Sequence, residues 1–397
     1  MRSETGFWAV VRREWHRIVA HPILMVTTTI IPLFIIAYFA TVFGNGVMEK
    51  LPVGVVDLDN SSTSQSIKRN VNANEKINIT HSYNSTYNAR AGLINGEIYA
   101  FFVIPHNFEQ DLKAFKRPAI TYYLNMVYMG IDGNIMEGLL TTLETISMSP
   151  VLAKGQATGK TAMQLEGILQ PINVNEHPLN NTEGNYASYL SPVFIHALIQ
   201  ILILITTFYV VGIELKQRTS RQWLRTANKS MLIAITAKLL PYTALFCFVS
   251  IFGNVVLFYI KGIPLAGSMV AINAGTILNV LAYQGFSLFI VGLIPVMRYG
   301  ISTVSMFGSL GASFCGLTFP IVSMPSAAQP FASYFPIHHY MKVYQLMGQS
   351  DYGYQYAWPS YVALMVFVLL PFTVLWKLKR EMIYNHLQKD HDIEVNS

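Results

Sequence analysis

The chain has 397 residues, 52% of them hydrophobic and only 12% charged, with a formal net charge of +6. Soluble proteins carry about 25% charged residues, so a water-soluble globule is excluded, and the apolar runs are too long for the alternating strands of a membrane barrel. The positive charges lie beside apolar runs, where membrane topology accounts for them better than a nucleic-acid partner does.

Residues 5–20 carry Phe7, Trp8, Val11, Trp15 and Ile18 at roughly helical spacing, with Arg12, Arg13 and Arg17 elsewhere on the wheel. This pattern predicts a helix lying in the cytoplasmic membrane interface over residues 1–21. The apolar run from Pro22 to Phe43 is too long for the core of a cleaved signal and lacks a small-residue cleavage site. It is read as a retained first transmembrane helix, 22–44.

A polar region, 45–185, follows and reads as alternating strand and helix. Strands are expected at 52–57, 77–83, 98–104 and 119–124, with short helices to about Val71, over 86–95 and from Phe108. Asp59, Asn60 or Ser61 caps the first of these helices. Two longer helices, roughly 130–148 and 156–169, form a stalk.

The run GQATGKT at 155–161 imitates a phosphate-binding loop, but it is one residue short of that motif and no apolar strand precedes it. It also falls on the external side, where ATP is absent, so the chain is expected to have no ATP site of its own. Asp57 and Asp59, directly after a strand, fit capping of backbone amides better than phosphotransfer or metal binding. Asn60, Asn78, Asn84 and Asn180 sit in N-x-[ST] patterns, which matter only in a eukaryotic secretory pathway.

Five further spans are expected near 188–213, 231–258, 268–294, 300–320 and 358–376, followed by a tail, 377–397. With both termini inside, fourteen Lys and Arg of the short flanks fall on the cytoplasmic side, against Lys261 and Lys342 outside. The reading is a polytopic α-helical membrane protein with six transmembrane helices and an α/β extracytoplasmic domain inserted between helices 1 and 2.

Within the spans, Lys238 lies about two turns into the third, where its stem can carry the ammonium to the inner interface or reach a substrate. His196 and Gln200, four residues apart, share a face; with Asn254, Asn273, Asn279 and Gln284 they fit bonding between helices, or a substrate path. No Ser/His/Asp or paired-carboxylate set lies within the spans, and Cys247 and Cys315 both fall inside them, so neither catalysis nor a disulfide framework is expected.

The segment 299–341 has no Lys, Arg, Asp or Glu, yet Pro320, Pro325, Pro330 and Pro336 forbid one long helix. It predicts a span followed by bent pieces, 320–345, that re-enter the outer part of the bilayer. His338 and His339 are adjacent and have no acidic or Cys partner nearby, which disfavours a metal.

Three stretches carry a family resemblance: VGVVDLDNSSTSQS with AGLINGEIYAFFVIPHNFEQDL inside 53–112, AKLLPY at 237–242, and GLTFPIVSMP with FPIHHY at 316–325 and 335–340. The chain resembles the permease subunits of ABC-2-type transporters, in the bacterial subfamily with a large external domain after span 1. One stretch departs: ELKQRTSRQ, 214–222, stands where such permeases usually carry an acidic-then-Gly-Thr pattern, and this touches the docking contacts.

The resemblance implies an inner-membrane dimer, with itself or a related chain, working with a separate ATPase subunit and with a periplasmic adaptor. It implies no catalytic residue, cofactor or metal in this chain. Docking of the ATPase is expected on Trp8, Arg12, Trp15, Glu214, Arg218, Arg221, Trp223 and Arg225. A substrate path is expected near His196, Gln200, Lys238, Phe319 and Pro320, suited to a lipophilic or amphipathic molecule. The rival readings are a membrane-anchored receptor or scaffold, which needs fewer spans, and an ion-coupled transporter, which would show intramembrane acids and an inverted repeat.

Overall fold

A computed structural model describes residues 5–43, 49–114, 116, 118–125, 129–157, 185–350 and 353–384. Outside these lie the expected second stalk helix, most of the GQATGKT run, Asn180, Arg2 and the end of the tail with Lys389. The chain divides into two compact units, Met1–Gly46 with Pro178–Ser397, and Val47–His177.

The smaller unit is a four-stranded sheet in the order β2-β1-β3-β4, built from β1 (Leu51–Asp57), β2 (Ile77–Tyr83), β3 (Ala100–Ile104) and β4 (Thr121–Leu124). β1 runs parallel to β2 and β3, while β4 is antiparallel to β3. Because β1 is central, Val53, Val55 and Val56 are all buried, and the strand reads as a continuous apolar run. Its register shifts between Val53 and Gly54, where a Cβ would stand 2.8 Å from Ile98 Cδ1 and 2.9 Å from the Tyr83 ring.

Short helices α3 (Ser62–Asn72), α4 (Thr86–Ile94) and α5 (Phe108–Lys113) connect the strands. Ser61 and Ser85 cap α3 and α4 by accepting from the amides of Ser64 and Asn88. Asp57 Oδ1 accepts from the Asn60 amide at 2.9 Å, and its Oδ2 accepts from Ser64 Oγ at 2.8 Å and Lys68 Nζ at 2.9 Å. Asp59 accepts from the Glu109 amide at 3.1 Å, so both aspartates organise turns. The long helix α6, Met129–Ala157, lays Ile135 and Leu139 into the core with Ile67 and Ile77.

The larger unit is helical. Among the described residues five helices are long and apolar enough to cross a bilayer: α2 (Pro22–Val42), α7 (Ala187–Lys216, with its first turn from Tyr186), α9 (Met231–Ile260), α10 (Met269–Leu293) and the final Tyr354–Tyr384. The last divides into α14 (Tyr354–Leu369) and α15 (Leu375–Tyr384) around a 3-10 turn at Pro371. Before α2 lies α1, Phe7–Ala20, and between α7 and α9 lies α8, Ser220–Thr226.

The run expected to span 300–320 forms the shorter α11, Met297–Ser313. Its 17 residues reach about 25 Å, short of a roughly 30 Å hydrocarbon core. The chain leaves the helix at Phe314, and Gly316 takes φ +86°, a left-handed corner before Pro320. α11 packs on α7 through a stripe of Gly300, Val304, Gly308 and Gly311, with the Phe208 ring filling the space where a Gly300 side chain would project. The proline-rich segment becomes a 3-10 turn at Ile321–Ser323, then α12 (Gln329–Ala332) and α13 (Pro336–Tyr344), whose Ile337, Tyr340 and Met341 are buried in the bundle.

Candidate functional site

The site begins with a helix that cannot be fully solvated. In α1, Val10, Glu14 and Ile18 recur every four residues and are buried on one face. Trp8, Arg12, Trp15 and Val19 form the opposite, exposed face, with Trp8 74% and Trp15 49% accessible. A glutamate on the buried face must find cations, because a buried unpaired charge costs far more than packing returns.

Three cations meet it. Lys238 Nζ, from the second turn of α9, donates to Glu14 Oε1 at 2.7 Å and to Glu214 Oε1 at 3.0 Å. Arg13 Nη2 donates to Glu14 Oε1 at 2.9 Å and to Glu214 Oε1 at 2.8 Å, and Arg17 Nη1 donates to Glu214 Oε1 at 2.9 Å. Tyr242 Oη donates to Glu14 Oε2 at 3.4 Å, and Thr219 Oγ1 donates to Glu214 Oε2 at 2.5 Å. Lys238 and Glu14 are both 0% exposed, and Glu214 is 3% exposed. Two carboxylates thus share three cations, and α1, α7 and α9 are pinned at one point.

The same point holds α8. The Lys238 ammonium sits 4.8 Å from the centroid of the fully buried Trp223 ring, a cation–π contact. The Gly6 amide donates to Thr226 O at 2.8 Å, joining the start of α1 to the end of α8. Ser220 Oγ donates to Met382 O at 2.9 Å and Arg221 Nε to Ile383 O at 2.7 Å, joining α8 to α15. Left-handed residues turn the chain at both ends of α8: Arg218 at φ 59° before it, Asn228 and Lys229 at φ 54° and 62° after it.

The sequence-predicted residues therefore separate into two sets. Trp8, Arg12, Trp15, Arg218, Arg221 and Arg225 are exposed, whereas Glu214 and Trp223 lie behind them in the interior. Lys238 does not snorkel: its ammonium turns inward to the carboxylates and is sealed from solvent. Glu14 was not among the expected residues. Two signals pointed to it, a lone acid on the Val10–Ile18 face of an arginine-rich helix and an intramembrane lysine lacking a named counter-ion.

His196 and Gln200 also serve the bundle interior. Tyr340 of α13 donates to His196 Nε2 at 2.9 Å, and His196 Nδ1 donates to Pro192 O at 2.7 Å. Gln200 donates to Gly308 O of α11 at 3.0 Å and accepts from Tyr283 of α10. Asn254 Nδ2 bonds Asn273 at 3.1 Å and Thr276 at 2.9 Å across α9 and α10. Phe319 and Pro320 are exposed, in the link after α11, apart from these contacts.

A five-charge knot thus lies under a short basic helix, on a bundle of long apolar helices. The sequence pattern described as ABC-2 family transporter protein matches residues 22–377, nearly the whole chain. The chain belongs to this family. It is thus a multi-pass membrane protein, the permease subunit of an ABC transporter, and ABC-2 permeases work with an ATPase partner. No curated protein and no solved structure matches this permease.

Proposed function

We propose that this permease forms half of an ATP-driven exporter of a lipophilic or amphipathic substrate. In this reading α11 completes the set of six spans as the fifth in chain order, both termini face the ATPase in the cytoplasm of a bacterial cell, and the α/β unit, 45–185, faces the periplasm. A second permease subunit completes the pathway, and an adaptor meets the α/β unit, where Tyr87 and Ile94 stand exposed on α4.

The observation that supports this most directly is the shared charge knot. Because Glu214, Glu14 and Lys238 tie α8 and α1 to α7 and α9, a push on α8 is delivered to the spans as a rigid body. The ATPase docks on the outward set, Trp8, Arg12, Trp15, Arg218, Arg221 and Arg225, while Glu214 and Trp223 hold that surface from behind. The substrate path runs past Phe319 and Pro320 and along the α7 face of His196 and Gln200, with those buried groups setting its wall. Lys238, saturated by two carboxylates, is a structural counter-ion and no longer a path residue.

Affinity purification of the tagged chain from native membranes in mild detergent tests this. The expected result is a co-purifying soluble ATPase at about one copy per chain, lost on charge reversal at Arg218 and Arg225. Recovery of external partners alone, or binding indifferent to those reversals, overturns the exporter reading or its docking surface respectively.

A further inference from the structure

Beside the charge knot a recess of about 470 Å³ opens between α1, with the first turn of α2, and the facing α7 and α8. Arg13, His16, Arg17 and Ala20 share one face of α1, and Leu24 continues that wall into α2. Across from them Tyr209, Ile213 and Gln217 recur every four residues, and Gln222 of α8 extends the wall. Both walls grade in the same direction. Leu24, Tyr209 and Ile213 belong to candidate spans, whereas Arg13 precedes α2 and Gln217 lies just past the end of α7. One end of the recess is therefore apolar and opens toward the bilayer, and the other is polar and cationic.

The arginines present unused donors to this space. Arg13 spends Nε and Nη2 on Glu14 and Glu214, and Arg17 spends Nη1 on Glu214. Arg13 Nη1 and Arg17 Nε and Nη2 have no partner among the described residues, and the two side chains stay 32% and 17% exposed. Three cations facing two carboxylates leave the knot one positive charge in excess. Glu214 is the only acid in the lining, and both its oxygens already accept hydrogen bonds. The carboxylates behind the guanidinium groups fix them in place, so an anion arriving in front of them pays little to order them. Arginine and phosphate oxygens match in charge and geometry.

We propose that this recess binds the phosphodiester of an anionic phospholipid, with Arg13 and Arg17 donating to the phosphate and the acyl chains leaving past Leu24 and Ile213. A soluble phosphate would leave the apolar end unfilled, and an uncharged lipid would leave the arginine donors unused. An ammonium headgroup finds no free carboxylate in the lining, which favours a lipid without one. The volume lies in the range of small-molecule sites and takes the headgroup with the start of its chains, the remainder lying in the hydrocarbon beside α2, where Ile30 and Phe34 are exposed. The site needs α1 to lie at the membrane interface. Neither the direction of transport nor the ATPase surface enters.

The test uses the full-length chain in phosphatidylcholine nanodiscs holding a trace of phosphatidylglycerol with a diazirine on its acyl chain near the glycerol. Adducts are expected on Leu24, Tyr209 and Ile213, with unlabelled phosphatidylglycerol displacing the probe about ten-fold better than phosphatidylethanolamine does. Excess inorganic phosphate should leave the labelling unchanged. His16→Glu combined with Gln217→Glu, at exposed positions outside the knot, should lower labelling about ten-fold in a protein of unchanged elution profile, while His16→Gln with Gln217→Asn should retain it. Adducts spread along the spans without enrichment in the recess, or labelling indifferent to the added carboxylates, overturn the site. Displacement by inorganic phosphate as effective as that by phosphatidylglycerol overturns the lipid and assigns the recess to a soluble anion.

Discussion

Lys238 is the residue on which the interior electrostatics turn. Among the described residues its ammonium is the one group that touches both carboxylates and the Trp223 ring. Lys238→Met leaves Glu14 and Glu214 facing each other with only Arg13 and Arg17 to balance them, and breaking a buried pair this way costs about 3–5 kcal/mol. A lowered thermal inactivation midpoint in detergent should register it, and adding Glu14→Gln, which keeps Glu214 for Arg13 and Arg17 and restores the net charge of the knot, should recover most of the loss. An unchanged midpoint for the single variant would show that the knot contributes nothing to stability. Asp57 gives a pH-dependent counterpart in the smaller unit. Burial pushes its carboxyl up, but bonds from Lys68, the Asn60 amide and Ser64 outweigh burial and hold it below the usual carboxylate range. The folded state therefore binds this proton more weakly than the unfolded chain does. Its stabilisation is present above pH about 4 and is lost as pH falls through the lowered value. Hydrogen exchange across β1 and α3, corrected for intrinsic rate, should stay flat from neutral pH to about 5 and rise below about 4, a dependence that Asp57→Asn removes.

At the scale of elements, α8 is too short to be a stable helix by itself, since nucleation is unfavourable and seven residues repay little of it. It is held by its surroundings: the Thr226 carbonyl by Gly6, Ser220 and Arg221 by the carbonyls of α15, and Trp223 by packing. Trp223→Ala removes a fully buried ring and its cation–π contact, for a cost of about 3–5 kcal/mol. Protease sensitivity within 214–230 should rise while α9 and α10 stay protected, and ATPase-coupled transport should fall more than ATPase binding does. Equal loss of binding and transport would mean that Trp223 only supports the fold of the docking surface. The charged composition of 214–230 showed a basic loop, and Glu214 and Trp223 read as surface residues in it. Nothing local separates an exposed tryptophan in a basic loop from a buried one; the separation comes from a lysine on another helix.

At the scale of the whole molecule, the proposed topology predicts which positions face the same side. A cysteine at Asn228 and one at Asn88 are both exposed positions, and native Cys315 is buried while Cys247 is only partly accessible. In intact cells a membrane-impermeant maleimide should label the Asn88→Cys protein and spare Asn228→Cys, with the order reversed in inside-out vesicles. Labelling of both from one side would overturn the six-span reading and with it the placement of the α/β unit.

Much of this was written in local sequence. Long apolar runs cannot be dissolved in water and must close their backbone bonds internally, so α2, α7, α9, α10 and the last span follow from composition alone. Alternation and turn residues likewise placed β1 to β4, and Ser61 capped its helix for reasons confined to four residues. The early end of α11 was not visible, because Phe314 to Phe319 is as apolar as the helix before it and the glycine corner at 316 depends on the packing beneath. Least legible was the charge knot. Glu14, Glu214 and Lys238 are 200 and 24 positions apart, and each alone looks like a surface charge or a snorkelling one. Hydropathy is a sum over neighbours along the chain, whereas a buried charge is decided by which opposite charge three helices bring within hydrogen-bond distance, and only the tertiary structure sets that.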